Sequence, residues 1–206
     1  MYSQCNEEKY LLDYFKVCSG RFLDIGAYDG KTLSNTRALY EKGWKGVCVE
    51  PSPSAFAKLQ ELYKEEDAYM ILINKALGEK EEDSVFYEGD IEKEIRGTIG
   101  NMYSSLDKKH MEFWEERGLH FKEVNVQTIT WHCLLDEVGE DFDFINIDAE
   151  GLSLEIFQLM PLWRLDNLVC VCIEHSYKFE TFIQYALEKG FRAFNITAEN
   201  FLMFKG

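Results

Sequence analysis

The sequence predicts a single-domain, Rossmann-like α/β fold. Its sheet is mostly parallel and seven-stranded, with helices on both faces and an antiparallel hairpin at the C-terminal end. Three observations carry this. Residues 21–53 spell a strand, a glycine turn, a helix-like segment and a second strand ending in an acid. Apolar runs of strand length alternate with amphipathic segments over most of the chain, as parallel strands with crossover helices require. Finally, the strand-like runs Phe191–Thr197 and Asn200–Phe204 are separated only by Ala198 and Glu199. A connection that short makes an antiparallel hairpin, because a parallel crossover needs about a dozen residues or more.

The elements follow in order. Glu7–Val17 alternates charge with Tyr10, Leu11, Leu12, Tyr14 and Phe15, which predicts an amphipathic helix in an N-terminal segment spanning 1–20. Strand 21–25, helix 32–42, strand 46–50, helix 54–65, strand 69–74 and a short strand 84–88 come next. Residues 89–118 lack strand character and read as an inserted lid, a polar loop with Gly97, Gly100, Ser104 and Ser105 before a helix Asp107–Arg117. Alternation resumes with strand 123–128, helix 131–138, strand 142–148, helix 152–160, strand 168–174 and helix 178–189. With three prolines and no Gly/Ser-rich linker or repeat, residues 1–206 read as one domain.

Composition narrows the function. A chain of 206 residues suits one domain burying about 70% of its unfolded surface. The formal charge of −15 argues against nucleic acid or an anionic membrane as partner, since both need a basic face. The acidic stretches 65–67 and 79–83 read as solvated turns. Six cysteines occur without a Cys-x-x-Cys pair, and Cys48, Cys170 and Cys172 lie in apolar runs where a thiol acts as a small hydrophobe. No signal-like or membrane-length apolar run is present, so a reducing cytoplasm is the expected setting.

The glycine turn Asp24-Ile25-Gly26-Ala27-Tyr28-Asp29-Gly30 and the acid Glu50 lie about 20 residues apart, the spacing at which an acid meets ribose hydroxyls. A dinucleotide fingerprint would carry a third glycine and no acid beside its phosphates; here Tyr28 and Asp29 intervene. S-adenosylmethionine has no phosphate and carries two positive groups, which Asp24 and Asp29 suit. The terminal hairpin points the same way, because it is the class I methyltransferase layout. A nicotinamide-dependent oxidoreductase is the competing reading, and a non-catalytic cofactor-binding relative a third.

These residues, with several further motifs, resemble the FkbM-type methyltransferases. The resemblance rests on Ser3-Gln4 with Glu7, the 24–30 turn, Ser34-Asn35-Thr36, Gly43-Trp44-Lys45-Gly46 and Glu50-Pro51-Ser52-Pro53. It continues through Asn74-Lys75-Ala76-Leu77-Gly78, Ser104-Ser105-Leu106 and Ile147-Asp148-Ala149-Glu150-Gly151. The family pattern usually goes on to Glu-Gly-x-Glu, and Ser153 replaces that last acid, leaving its role absent or passed to Glu155. The resemblance implies S-adenosylmethionine-dependent O-methylation of a sugar or natural-product-like hydroxyl, with a small molecule or glycan as acceptor.

The expected cofactor set is Asp24, Gly26, Ala27, Tyr28, Asp29, Gly30, Asn35, Glu50, Pro51, Asn74, Ala76 and Asp148. Gly26 and Gly30 would pass under the methionine part, Asp24 would hold its ammonium, and Ala76 would meet the adenine. For Asn74 a turn role competes. Asp148 and Glu174 end neighbouring strands, which lie about 4.8 Å apart. They can therefore converge on one hydroxyl or on one hard cation such as magnesium. Asp148 is the candidate base or metal ligand, with Glu174 or Glu150 assisting. For Glu174 a lysine partner, and for Glu150 a helix cap, are the plain alternatives. His175 is a candidate catalytic base, against a structural histidine. His110, His120 and His132 fall outside the crevice motifs, and Trp131 and Trp163 read as core. Tyr103, Ser104 and Ser105 are candidates for acceptor recognition in the lid.

Overall fold

The computed structural model describes residues 1–16, 19–63, 70–90, 94–95, 98–175 and 179–205. Cys18, Gly97 and the acidic turn at 65–67 therefore lie outside the described residues. The first half holds α1 (Glu7–Phe15), β1 (Arg21–Ile25), α2 (Arg37–Tyr40), β2 (Lys45–Val49), α3 (Pro53–Tyr63) and β3 (Met70–Ile73). Then come β4 (Ala76–Leu77), β5 (Asp83–Gly89), β6 (Glu94–Ile95), β7 (Thr98–Ile99), α4 (Lys108–Glu115), β8 (Phe121–Ile129) and α5 (Trp131–Val138). The chain finishes with β9 (Phe144–Ile147), α6 (Ser153–Leu159), β10 (Cys170–Glu174), α7 (Phe179–Glu188), β11 (Phe191–Ile196) and β12 (Asn200–Lys205).

Among the described residues, seven strands form the main sheet in the order β11-β12-β10-β9-β1-β2-β3. Strands β10, β9, β1, β2 and β3 pair in parallel, and β12 and β11 close one edge in antiparallel pairing, as the short 198–199 link requires. From β1 the sheet grows outward through β2 on one side and through β9 on the other. That reversal opens a crevice at the carboxyl ends of β1 and β9.

Strand alternation sorts the core onto two faces. Leu23, Ile25, Ile145, Ile147, Val171 and Ile173 pack with Trp131 and Leu134 of α5 and Phe182 of α7. Phe22, Cys48, Phe144, Cys170 and Cys172 face the other way, toward Leu11, Leu39 and Leu59. Cys48, Cys170 and Cys172 are buried free thiols whose pKa values burial pushes well up, so they serve as packing groups.

Several elements differ from the sequence expectation. The strands expected near 84–88 and 123–128 leave the main sheet: β5 and β8 pair antiparallel, with β4 alongside β8, in a three-stranded side sheet. Their burial explains this, since β8 is mostly exposed outside Val126, Thr128 and Ile129, whereas inner parallel strands are buried on both faces. The helix expected over 32–42 shrinks to α2, because Ser34 Oγ takes the N–H groups of Thr36 and Arg37 into a local turn. The lid carries a short ribbon, β6 with β7, and a 3-10 turn Gly100–Tyr103 ahead of α4. Asp107 caps α4 by accepting from the Lys109 N–H at 2.9 Å. Trp131 is core as expected, but Trp163, in the 3-10 turn Leu162–Arg164, is 75% exposed. Among the described residues, no helix is long and apolar enough to cross a membrane.

Candidate functional site

The carboxyl ends of β1, β2, β4 and β9, with the lid above them, line one cleft holding about 920 Å³ of space, solvent at its mouth included. Its floor is built by the glycine turn. Gly26 takes a left-handed φ of 81°, and a Cβ there would fall 1.7 Å from the Asp148 carbonyl oxygen. This glycine lets the loops after β1 and β9 touch. Gly30, at φ 74°, instead packs on Leu59 and Tyr63 and does not line the cleft, so its expected place under a ligand is corrected to a packing role against α3.

Glu50 follows β2, is 6% exposed, and is held by two main-chain donors. Tyr28 N donates to Oε2 and Ser52 N to Oε1, each at 2.8 Å. Tyr28 is itself left-handed, at φ 51°, so the carboxylate fixes a backbone conformation that side chains avoid. Burial raises the Glu50 pKa to about 7, against the lowering effect of those two N–H groups. Pro51 and Ala76 line the same wall. Asn74 does not line the cleft; its amide donates to the carbonyls of Glu50 and Pro51 at 2.8 and 3.2 Å, the turn role. Asp29 likewise stays outside, accepting from the backbone of Lys31 and Thr32 on the surface.

Behind the glycine turn lies a polar ladder across three strands. Asp24 faces Asn146 in register, and Asn146 faces Cys172. Asp24 accepts from Thr36 Oγ1 at 2.6 Å and from Asn146 Nδ2 at 2.8 Å, and burial raises its pKa. Asn35 Nδ2 donates to Asn146 Oδ1 at 3.0 Å, while its own Oδ1 is buried with no hydrogen-bond partner. Asn146 was missed by sequence reasoning. Its signal was available: it is the one polar residue in the strand Phe144-Ile145-Asn146-Ile147.

The second half of the site is acidic. Carboxylate oxygens of Asp148, Glu150 and Glu174 lie within 4.8 Å of one another, at the ends of β9 and β10. Burial, then the charges of Asp24, Glu199 and Glu7, raise the Asp148 pKa to about 7. Burial with Glu174 and Asp148 pushes Glu150 up as well. Glu150 is no helix cap; it sits at φ 29°, and its carbonyl accepts from Ser105 Oγ at 2.6 Å. Ser153, standing where the family acid would be, accepts from Ala149 N at 3.0 Å and so pins this turn. Glu155 is exposed and outside the cleft, so the acid's role has not passed to it.

His175 does not line the cleft. It is 1% exposed, with Nε2 turned to the Thr197 carbonyl at 3.3 Å, and the expectation of a base there is corrected to a core position. His110 corrects the reading in the other direction. Its Nε2 lies 3.3 Å from Glu150 Oε2, brought over by α4. Ser104 and Ser105 line the cleft, but their hydroxyls are committed to the carbonyls of Asn101 and Glu150. Tyr103 packs against Trp114 with ring centroids 4.1 Å apart and planes tilted by 39°.

The carboxyls of Asp24, Glu50, Asp148 and Glu150, all with raised pKa values, make a stability prediction. A raised folded pKa means that the native state holds the proton more tightly than the unfolded chain. This stabilisation is full below the unfolded value and is lost as pH rises through the folded one. For Glu50, between 4.5 and about 7, the loss is up to about 3 kcal/mol. Asp148 and Glu150 act in the same direction, while His110, whose pKa burial lowers, opposes them. The melting temperature of the ligand-free protein is expected to fall between about pH 5 and about pH 8. Scanning calorimetry across that range checks it, and a rising melting temperature contradicts it.

The sheet order, the terminal hairpin and a cleft at the switch point define a class I methyltransferase fold. Solved structures agree: a ribosomal protein L11 methylase from Lactobacillus delbrueckii subsp. bulgaricus superposes with a TM-score of 0.53 at 10% identity, covering 97% of this chain and 78% of that one. The delta-N METTL16 MTase domain gives 0.52 at 10% identity, with 97% and 80% covered. Precorrin-6y C5,15-methyltransferase from Geobacter metallireducens GS-15 gives 0.50 at 12% identity, with 97% and 87% covered. No curated protein matches by sequence. The sequence pattern of the methyltransferase FkbM domain matches residues 24–193, and the chain belongs to that family.

Family and fold imply S-adenosylmethionine, and the residues fit it. Glu50 offers a buried carboxylate whose two main-chain donors leave lone pairs for ribose hydroxyls. The Asn35 Oδ1 without a partner offers an acceptor for a donor group.

Proposed function

We propose that the protein is an S-adenosylmethionine-dependent O-methyltransferase acting on a hydroxyl of a sugar or small natural-product-like acceptor. The observation that carries this reading is the convergence of Asp148, Glu150 and Glu174 beside the cofactor cleft. The cofactor supplies an electrophilic methyl group on a sulfonium. The attacking hydroxyl must lose its proton, and a carboxylate with a pKa near 7 is matched to accept it at neutral pH. Asp148 is assigned that proton, and burial with the charges of Asp24, Glu199 and Glu7 keeps its basicity up. The lid covers this end, with Ser105 and His110 both reaching Glu150, and keeps water from the acceptor.

The same three oxygens can hold a divalent ion such as magnesium, which would lower the hydroxyl pKa instead. The chain's formal charge of −15 favours a neutral acceptor over RNA, and the likeness to a ribosomal protein methylase is one of fold alone. The test is a screen of glycosides, polyols, phenols and a short RNA with methyl-labelled cofactor, with magnesium and with chelator. Label transferred to a small hydroxylated compound is the expected result. Transfer to RNA alone, or to amines alone, overturns the reading. Loss of transfer under chelator selects the cation over the base.

A further inference from the structure

The 3-10 turn of the lid carries a residue that the strand ends do not account for. Asn101 lines the cleft and is 2% exposed. Its Oδ1 accepts from the Tyr28 hydroxyl at 2.8 Å, and its Nδ2 is buried with no hydrogen-bond partner. The amide is oriented by what lies behind it. Lys58 Nζ donates to the Tyr28 oxygen at 3.4 Å; an ammonium accepts nothing, so the phenol proton is left for Asn101. The amide oxygen is thereby occupied, and the two N–H groups of Nδ2 are what remain. The turn is also clamped from below: Ser104 Oγ donates to the Asn101 carbonyl at 2.6 Å and accepts from Gly89 N at 3.0 Å. A buried amide nitrogen without an acceptor is costly, and rigid placement makes it a receptor for one.

Which half of a ligand it meets follows from its anchor. Tyr28 is tied through its own N–H to Glu50 Oε2, the carboxylate that ends β2. The lid reaches the acid cluster only later, through Ser105 and His110. Asn101 therefore belongs to the Glu50 side. We propose that Asn101 is a cofactor-binding residue, its Nδ2 donating to an acceptor atom of the adenosine half of S-adenosylmethionine. Lid and cofactor are then linked directly: the residue that reads adenosine sits four positions before the serine that holds the Glu50-distant end of the lid on the Asp148–Glu150 turn. The inference rests on the cofactor reading above.

The test is calorimetric titration of the full chain with S-adenosylhomocysteine and with methylthioadenosine, which keeps the adenosine but lacks the amino-acid part. Asn101→Ala and Asn101→Asp are each expected to weaken both probes by about tenfold. Tyr28→Phe, which frees the amide without removing it, is expected to weaken them about threefold. Melting curves establish that each variant is folded, and Asn101→Asp with Tyr28→Phe carry the test if the alanine variant is not. Affinities within about twofold of the parent for both probes overturn the proposal. Weakening of S-adenosylhomocysteine alone overturns it too, by moving the donor to the methionine half. A parent protein that binds neither probe removes the cofactor reading itself, and this inference with it.

Discussion

Asp148→Asn is expected to lower turnover about a thousandfold while leaving S-adenosylhomocysteine affinity within a few-fold. The substitution keeps the side-chain shape and removes the charge and the proton-accepting oxygen. The neighbouring geometry does not depend on that charge: the 148 backbone is held by its N–H to the Ile25 carbonyl at 2.9 Å, and Gly26 packs on the 148 carbonyl. Loss of activity would therefore report on chemistry. For the parent, turnover should rise with pH up to about 7, where Asp148 gives up its proton, and level off above. Single-turnover kinetics with a saturating acceptor would measure both. Full turnover in the asparagine variant, with unchanged cofactor binding, removes Asp148 from the reaction.

How much of this was legible in the sequence depended on how local the information was. The turn 24–30, the acid after β2 and the closing hairpin are each fixed by a few consecutive residues, and the fold they predicted is the one observed. The side sheet was not legible, because β5 and β8 pair across more than thirty residues of lid, and nothing in either strand names its partner. Helix 32–42 misled by composition. Ser34, Asn35 and Thr36 turn their side chains inward to Asp24, Asn146 and the local backbone, and those bonds outweigh the helical propensity around them.

The acids at strand ends could be placed by register alone, which is why Asp148 and Glu174 were foreseen as neighbours. Asn101 and His110 could not: on the lid, Asn101 reaches the cleft and His110 reaches Glu150, and neither carries a motif of its own. His175 shows the limit of adjacency in sequence. One residue beyond Glu174, it faces the Thr197 carbonyl in the closing hairpin.

Glu50→Gln is expected to weaken S-adenosylhomocysteine about a hundredfold and to abolish a pH dependence that the parent shows. Both oxygens of Glu50 already accept a main-chain N–H at 2.8 Å, so hydroxyls arriving from the cleft would be further donors to a charged group. In the ligand-free protein burial holds its pKa at about 7, and new donors favour the ionised form, lowering that value in the complex. Binding is then coupled to proton loss below about pH 7 and uncoupled above it. Affinity should rise about tenfold from about pH 6 to about pH 8 and then stay flat, with proton release detectable in buffers of different ionisation enthalpy. The glutamine keeps one acceptor oxygen but offers its amide nitrogen to the second N–H, so one of the two clamps on Tyr28 and Ser52 is lost. Binding that is weak and flat in the variant identifies Glu50 as the titrating ribose acceptor. Binding that is weak but still rises with pH assigns the proton to Asp24 or Asp148 instead, and unchanged binding removes Glu50 from the cofactor site.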